Sequence, residues 1–364
     1  MTCQYSPEIV FTDWMNAIQN KVSDQRFPFG GILELTARCN LRCRHCYIKD
    51  AETQSTRDLG TEEMKWVIDQ IVEAGTLFLL FTGGEILLRK DFTELYLYAR
   101  SKGILVTLFT NGTLFTKEIV EVLKQAPPYG LEITAYGATK QGYESVTQVP
   151  GSFDHFMRGL ELLHQNGIQF SLKSMVMKQN VAELDQLKAL AEHYSVDYKY
   201  DTTIFPRLDC STEVLECSLT MDEVINLDLN DNERLAAWQK MYMDTKGVRQ
   251  KNRLLYDCGA GYRSYLIDSR GRMSMCVLSR KPNYNILEMG FDQAWQLLGK
   301  ERIDNIRPED SECYNCESAG ICLHCPGWAQ LSGFNSNDKI NPYYCKLNKQ
   351  RAEMIVNSLE RNEG

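Results

Sequence analysis

No stretch of the 364-residue chain is long and apolar enough to span a bilayer. The first twenty residues carry acids before any base and no long apolar segment, which excludes an export signal. Lys and Arg are nowhere bunched. With 40 of them against 48 acids, a net charge of −8, neither a nucleic-acid nor a membrane partner is expected, because phosphate binding rests on clustered bases. Acidic partners are disfavoured on the same ground. Low-complexity and disordered tracts are missing too, and 43 % hydrophobic residues suffice for a core in two or three domains. These absences place the chain in the cytoplasm. Its 13 cysteines are then metal ligands or redox groups rather than disulfides, since cytosolic thiols stay reduced.

From Gly31 strand and helix patterns alternate. Apolar runs at Gly31–Thr36, Leu77–Thr82, Ile104–Thr110, Leu131–Tyr136, Ile168–Met177 and Asp197–Ile204 are separated by amphipathic helical patterns at Thr61–Ala74, Phe92–Lys102, Lys117–Gln125, Phe153–Asn166 and Val181–His193. Six such units imply right-handed parallel crossovers, an α/β fold curved into an open, partial (β/α)6 barrel whose site lies at the carboxyl ends of the strands. The expected divisions are 1–28, a lead-in with a helix around Ile9, Phe11, Trp14 and Ile18; 29–206, the barrel; 207–254, a bridge with a polar helix within Met221–Met243; 255–350, a cysteine-rich domain; and 351–364, a C-terminal tail.

Directly after the first strand comes Cys39-Asn-Leu-Arg-Cys43-Arg-His-Cys46-Tyr47, cysteines spaced C-x3-C-x2-C. At this chain's cysteine usage the spacing arises by chance roughly 0.02 times per chain. Three thiolates on one loop can bind three irons of a [4Fe-4S] cube and leave the fourth iron open. The alternative is zinc, with His45 turned inward as a fourth ligand. Three further motifs fall at strand ends: Gly83-Gly84-Glu85, Thr110-Asn111-Gly112 and Tyr136-Gly137-Ala138. Glycines at such a point expose backbone to a ligand, while Asn111-Gly112 reads equally as an ordinary turn. Lys173 breaks the apolar face of the fifth strand and points either into the barrel or to solvent.

The loop with Tyr47 after its last cysteine resembles the radical SAM superfamily signature, and Gly83-Gly84-Glu85 resembles the element that receives the methionine amino group of S-adenosylmethionine (SAM). The resemblance implies SAM bound at the open iron, with Tyr47, Gly83, Gly84, Glu85, Asn111 and Lys173 as cofactor contacts. The segment Tyr136-Gly-Ala-Thr-Lys-Gln-Gly-Tyr143 is similar to the peptide-modifying branch, making Tyr136 and Lys173 candidate catalytic residues. His155, His164 and His193 are read as core.

Farther on, Cys258-x12-Gly271-x4-Cys276, then Cys313-x2-Cys316-x5-Cys322-x2-Cys325 and Cys345, resemble the SPASM extension, which holds two auxiliary [4Fe-4S] clusters and would bring the total to three. By that resemblance Cys258, Cys276 and Cys325 hold an inner cluster, and Cys313, Cys316, Cys322 and Cys345 an outer one. The usual last pair has three intervening residues rather than two, and no cysteine in 259–264 completes the inner set; Asp257 and His324 are nearby candidates. Paired C-x2-C knuckles also read as zinc.

Chains of this layout mostly modify peptides. Val277 stands where sulfatase maturases carry a catalytic Asp, which argues against formylglycine formation. A maturase that cross-links a precursor peptide therefore leads. An epimerase using Cys210 or Cys217 as hydrogen donor, a tetrapyrrole-modifying enzyme and a non-catalytic cluster or zinc protein are the alternatives. The residues before Gly31 are fewer than a leader-binding domain takes, so the precursor is expected either from a separate leader-binding protein or on the barrel and bridge. The electron donor is expected to be a flavodoxin or ferredoxin, in an anaerobic setting.

Overall fold

A computed structural model describes residues 25–48, 57–245, 254–322, 325–334 and 341–363. The lead-in helix around Ile9–Ile18, and His324, lie outside them. Nine strands form one sheet: β1 Gly30–Thr36, β2 Phe78–Gly83, β3 Leu105–Thr110, β4 Gly130–Thr134, β5 Ser171–Met175, β6 Tyr198–Asp201, β7 Ser264–Ile267, β8 Arg272–Ser274 and β9 Tyr284–Asn285. Their order is β6-β5-β4-β3-β2-β1-β7-β8-β9, parallel through β7, with β8 and β9 antiparallel.

Five crossovers carry the helices α1 Thr61–Glu73, α2 Phe92–Ser101, α3 Lys117–Gln125, the pair α4 Lys140–Thr147 and α5 Ser152–Gln165, and α6 Leu184–Tyr194. Alternation along each strand divides the sheet into two faces. Leu33, Leu35, Leu79, Phe81, Val106, Leu108, Leu131, Ile133 and Leu172 are buried in one continuous core with Met64, Ile68, Leu95, Leu123, Leu160 and Leu187 of the helices. Each such side chain contributes about 1.5–3 kcal/mol. The alternate residues, among them Glu34, Phe109, Glu132 and Lys173, occupy the opposite, inner face.

The bridge holds two helices rather than one, α7 Met221–Asn230 and α8 Asn232–Thr245. Beyond β9 come α9 Ile286–Met289, α10 Phe291–Asp304, α11 Pro326–Leu331 and α12 Pro342–Glu363. The tail expected from 351 is the continuation of α12. It is held because Leu347, Arg351 and Ile355 are buried, and because the fully buried Asp228 of α7 pairs with Arg351 at 2.8 Å and with Arg234 of α8 at 2.6 Å. The cysteine-rich segment also shares the barrel's sheet, since β7 pairs with β1 in the register Gly30↔Ser264 to Leu33↔Ile267.

Candidate active site

Gly84 and Glu85 donate their backbone N–H groups to the carbonyls of Thr36 and Arg38, both at 2.8 Å. The cysteine loop therefore lies directly on the end of β2. The glycines are required there: Gly83 has φ +137°, and a Cβ on Gly84 would overlap the Arg38 carbonyl oxygen. The space they leave is filled by the loop's own backbone, where the sequence suggested an approach for a ligand.

Glu85 is fully buried. Its carboxylate accepts from Thr110 Oγ1 at 2.7 Å, the Asn111 N–H at 2.7 Å and the Leu87 N–H at 3.0 Å. Burial pushes its pKa up, against those donors. Glu85 thus joins the ends of β2 and β3. Asn111 in turn donates Nδ2 to Asn40 Oδ1 at 2.9 Å and approaches Cys39 Sγ at 3.9 Å, and Asn40 donates to Thr113 Oγ1 at 2.8 Å. Its ordinary turn hydrogen bond, from the Thr113 N–H to Asn111 Oδ1 at 2.9 Å, is present as well. The residue of the turn is also the one that reaches the cysteine loop.

Tyr136 is hydrogen-bonded to the Cys43 thiol and packs on His45, ring centroids 5.6 Å apart. Two residues that sequence reasoning missed hold it. Asn180, completely buried, donates to the Tyr136 carbonyl at 3.0 Å. Glu183 accepts from the Ala138 and Thr139 N–H groups at 2.8 and 3.1 Å. It occupies the place of a Cβ on Gly142, which is why a glycine interrupts α4. The signal available was Asn180 at the head of the α6 pattern.

Cys39, Cys43, Cys46, Tyr47, Gly83, Gly84, Tyr136 and Arg207 line one cavity of about 1090 Å³. Burial raises the Cys39 thiol to about 11, with the Leu41 N–H acting against it, and raises Cys43 well above its usual range, with repulsion from Cys46 and Cys39 adding to this. Three thiolates here need a cationic group among them, and binding one expels their protons. Among the described residues no three His, Cys, Asp or Glu side chains close round a single point as one metal ion would require. Three soft thiol donors on one loop are the ligand type that iron-sulfur clusters take. Burial lowers His45 to about 4.

Lys173 does not line this cavity. It sits on the inner face 3.2 Å from Glu132 and over the Phe109 ring. Cys217 is buried beside Val146, Met177, Ile204 and Val214, near Arg44. Cys210 is exposed, at φ +68°. In the second group Cys276 interacts with Cys258, and Cys325 with both. Cys313 interacts with Cys316 and Cys345 and with the latter lines a separate cavity of about 1010 Å³. Cys322 lies beside Tyr344.

Residues 33–191 match the family model of the radical SAM superfamily. That stretch is a radical SAM domain. An AdoMet-dependent heme synthase of Methanosarcina barkeri is 36 % identical over 159 residues, 44 % of this chain and 46 % of its own. The match thus spans less than half of that relative. The mycofactocin maturase MftC of Mycolicibacterium smegmatis is 28 % identical over 302 residues, 80 % of this chain and 74 % of its own. SuiB of Streptococcus suis, solved with S-adenosylmethionine, superposes with TM-score 0.69 over 94 % of this chain and 82 % of its own, at 15 % identity. The radical SAM family implies SAM and a [4Fe-4S] cluster. The parallel sheet is that of the radical SAM fold. No helix among the described residues is long and apolar enough to cross a membrane.

Proposed function

We propose that the chain is a radical SAM maturase of a ribosomally made precursor peptide, acting at the cavity of Cys39, Cys43 and Cys46. The observation that carries this reading is the convergence of the cysteine loop with the ends of β2, β3 and β4. One loop supplies three thiols, Asn111 and Tyr136 direct hydrogen bonds at two of them, and Glu85 fixes the strand ends. A [4Fe-4S] cluster held there, with SAM, supplies a 5'-deoxyadenosyl radical that abstracts hydrogen from the substrate. The likeness to MftC extends over 80 % of the chain, against 44 % for the heme synthase, which favours a peptide substrate over a tetrapyrrole.

Cys258, Cys276 and Cys325, and separately Cys313, Cys316, Cys322 and Cys345, are proposed to hold two auxiliary clusters. After hydrogen loss, closing a thioether or carbon–carbon bond would release a proton and one more electron, for which clusters held by these cysteines would supply an acceptor. A flavodoxin or ferredoxin supplies the first reduction, and a separate leader-binding protein or the barrel and bridge present the peptide.

The test is anaerobic reconstitution with iron and sulfide, followed by SAM and dithionite. About twelve irons per chain, with deoxyadenosine lost in Cys43→Ala, supports the reading. Stoichiometric zinc and no deoxyadenosine sinks it. The tetrapyrrole reading draws on the heme synthase likeness over 44 % of the chain, and predicts a bound Soret band from the purified protein.

A further inference from the structure

The cluster cavity is lined by charge of one sign. Its described lining contains Arg38, Arg42, Arg44 and Arg207 and no carboxylate, in a chain of net charge −8. Arg38 is answered by Asp58 at 3.4 Å. Arg44 spends Nε on the Ser145 carbonyl at 3.0 Å, and Arg42 forms no ion pair among the described residues. The whole-chain charge, which argued against acidic partners, does not describe this local field.

Arg207 decides the chemistry. Its Nε is buried without a hydrogen-bond partner, and its Nη1 reaches only the largely exposed Glu213, at 3.3 Å. The turn that bears it is fixed: the Arg207 N–H donates to the Ser211 carbonyl at 3.0 Å, the Cys210 N–H to the Arg207 carbonyl at 2.8 Å, and the Leu208 N–H to the Tyr47 carbonyl at 2.9 Å. A buried guanidinium donor left unmatched is costly, and its planar fork suits a carboxylate. The thiols have donors of their own, Leu41 and Asn111 at Cys39 and Tyr136 at Cys43.

The geometry points to Arg207, flanked by Arg42 and Arg44, as the subsite for a substrate carboxylate. This rests on the reading of the same cavity as the radical site. An acidic side chain of a peptide and a propionate of a tetrapyrrole offer the same group, and the experiment separates them.

Reconstituted protein with SAM, under anaerobic conditions, is titrated calorimetrically with the peptide Gly-Ser-Glu-Glu-Ser-Gly, its Gln-Gln counterpart, and coproporphyrin III, using wild type, Arg207→Gln and Arg207→Lys. One acidic probe binds, and its affinity falls about tenfold or more in Arg207→Gln, with Arg207→Lys in between. The probe that binds names the source. Binding that ignores Arg207→Gln, equal binding of the Glu and Gln peptides without porphyrin binding, or no binding by any probe overturns the subsite. The Glu-to-Gln comparison needs no variant and holds even where Arg207→Gln fails to fold. Deoxyadenosine is measured on the same wild-type preparation. Its absence removes the radical reading, whereas its presence with Arg207-independent binding removes the subsite alone.

Discussion

Arg280, four residues past Cys276, clasps Glu34 of β1 with both terminal guanidinium nitrogens, Nη1 and Nη2, at 2.7 and 2.6 Å. Glu34 is 5 % exposed. Burial works against the Arg280 charge, but Glu34 outweighs it and raises the pKa. A pair of this kind is costly to break from one side, because the other charge stays buried alone. Arg280→Met is expected to cost about 3–5 kcal/mol, read from the guanidinium midpoint. Glu34→Leu combined with Arg280→Met should recover most of that loss. A double variant as unstable as the single one would mean that Arg280 acts through something other than Glu34.

Gly84→Ala puts a methyl group where the Arg38 carbonyl lies and pushes the cysteine loop off β2. Reconstituted iron should fall by about four per chain, the content of one cube, with the melting temperature little changed. Full iron in this variant would show that the loop has room to spare.

Tyr136→Phe removes the hydrogen bond at Cys43. Hydrogen bonds to cluster sulfurs tune the potential, and losing one leaves more negative charge on the ligand. The midpoint potential of the SAM-binding cluster, followed by EPR titration, is expected to move to a more negative value. An unchanged or higher potential contradicts a hydrogen bond from Tyr136 to the Cys43 sulfur.

Burial lowers Lys173 to about 7, with Glu132 acting the other way. An unfolded lysine titrates near 10.4. Below pH 7 both states are protonated and the cost of the buried charge is fully felt; between pH 7 and about 10 the folded chain gives up its proton and that cost fades. Lys173→Met should therefore raise the melting temperature by a few degrees at pH 6 and by progressively less towards pH 10. A gain independent of pH would place the lysine in water.

Cys210→Ala and Cys217→Ala separate cross-linking from epimerisation. Cross-linked product, measured by mass spectrometry, is expected to persist in both variants. Loss of a D-configured residue in either one would make that thiol the hydrogen donor.

The repeating core was legible because each strand buries alternate apolar residues and each helix has one apolar face. Lys117–Gln125 appears as expected, and the six strands and the remaining four helices shift by a few residues at their ends. The α4 helix was not, since Gly142 weakens its helical pattern and answers to Glu183, about forty residues away. The strand-end motifs were found, but not what their side chains do. That Glu85 binds backbone depends on a three-dimensional meeting with Thr110 and Asn111, which no local pattern encodes. Arg207 and Arg280 were invisible for the same reason: an isolated arginine in a chain carries no mark of the partner it meets or lacks.

The parallel pairing of Gly30–Leu33 with Ser264–Ile267 also sets the order in which the molecule can be made. While the ribosome is still working through the bridge, one side of β1 has its backbone hydrogen-bonding groups unmatched, an open template for another chain. Synthesis proceeds from the N-terminus, so that side waits until β7 has emerged. A nascent chain stalled or truncated before residue 264 would expose the strand that leads into the cysteine loop, and its hazard is edge-to-edge aggregation.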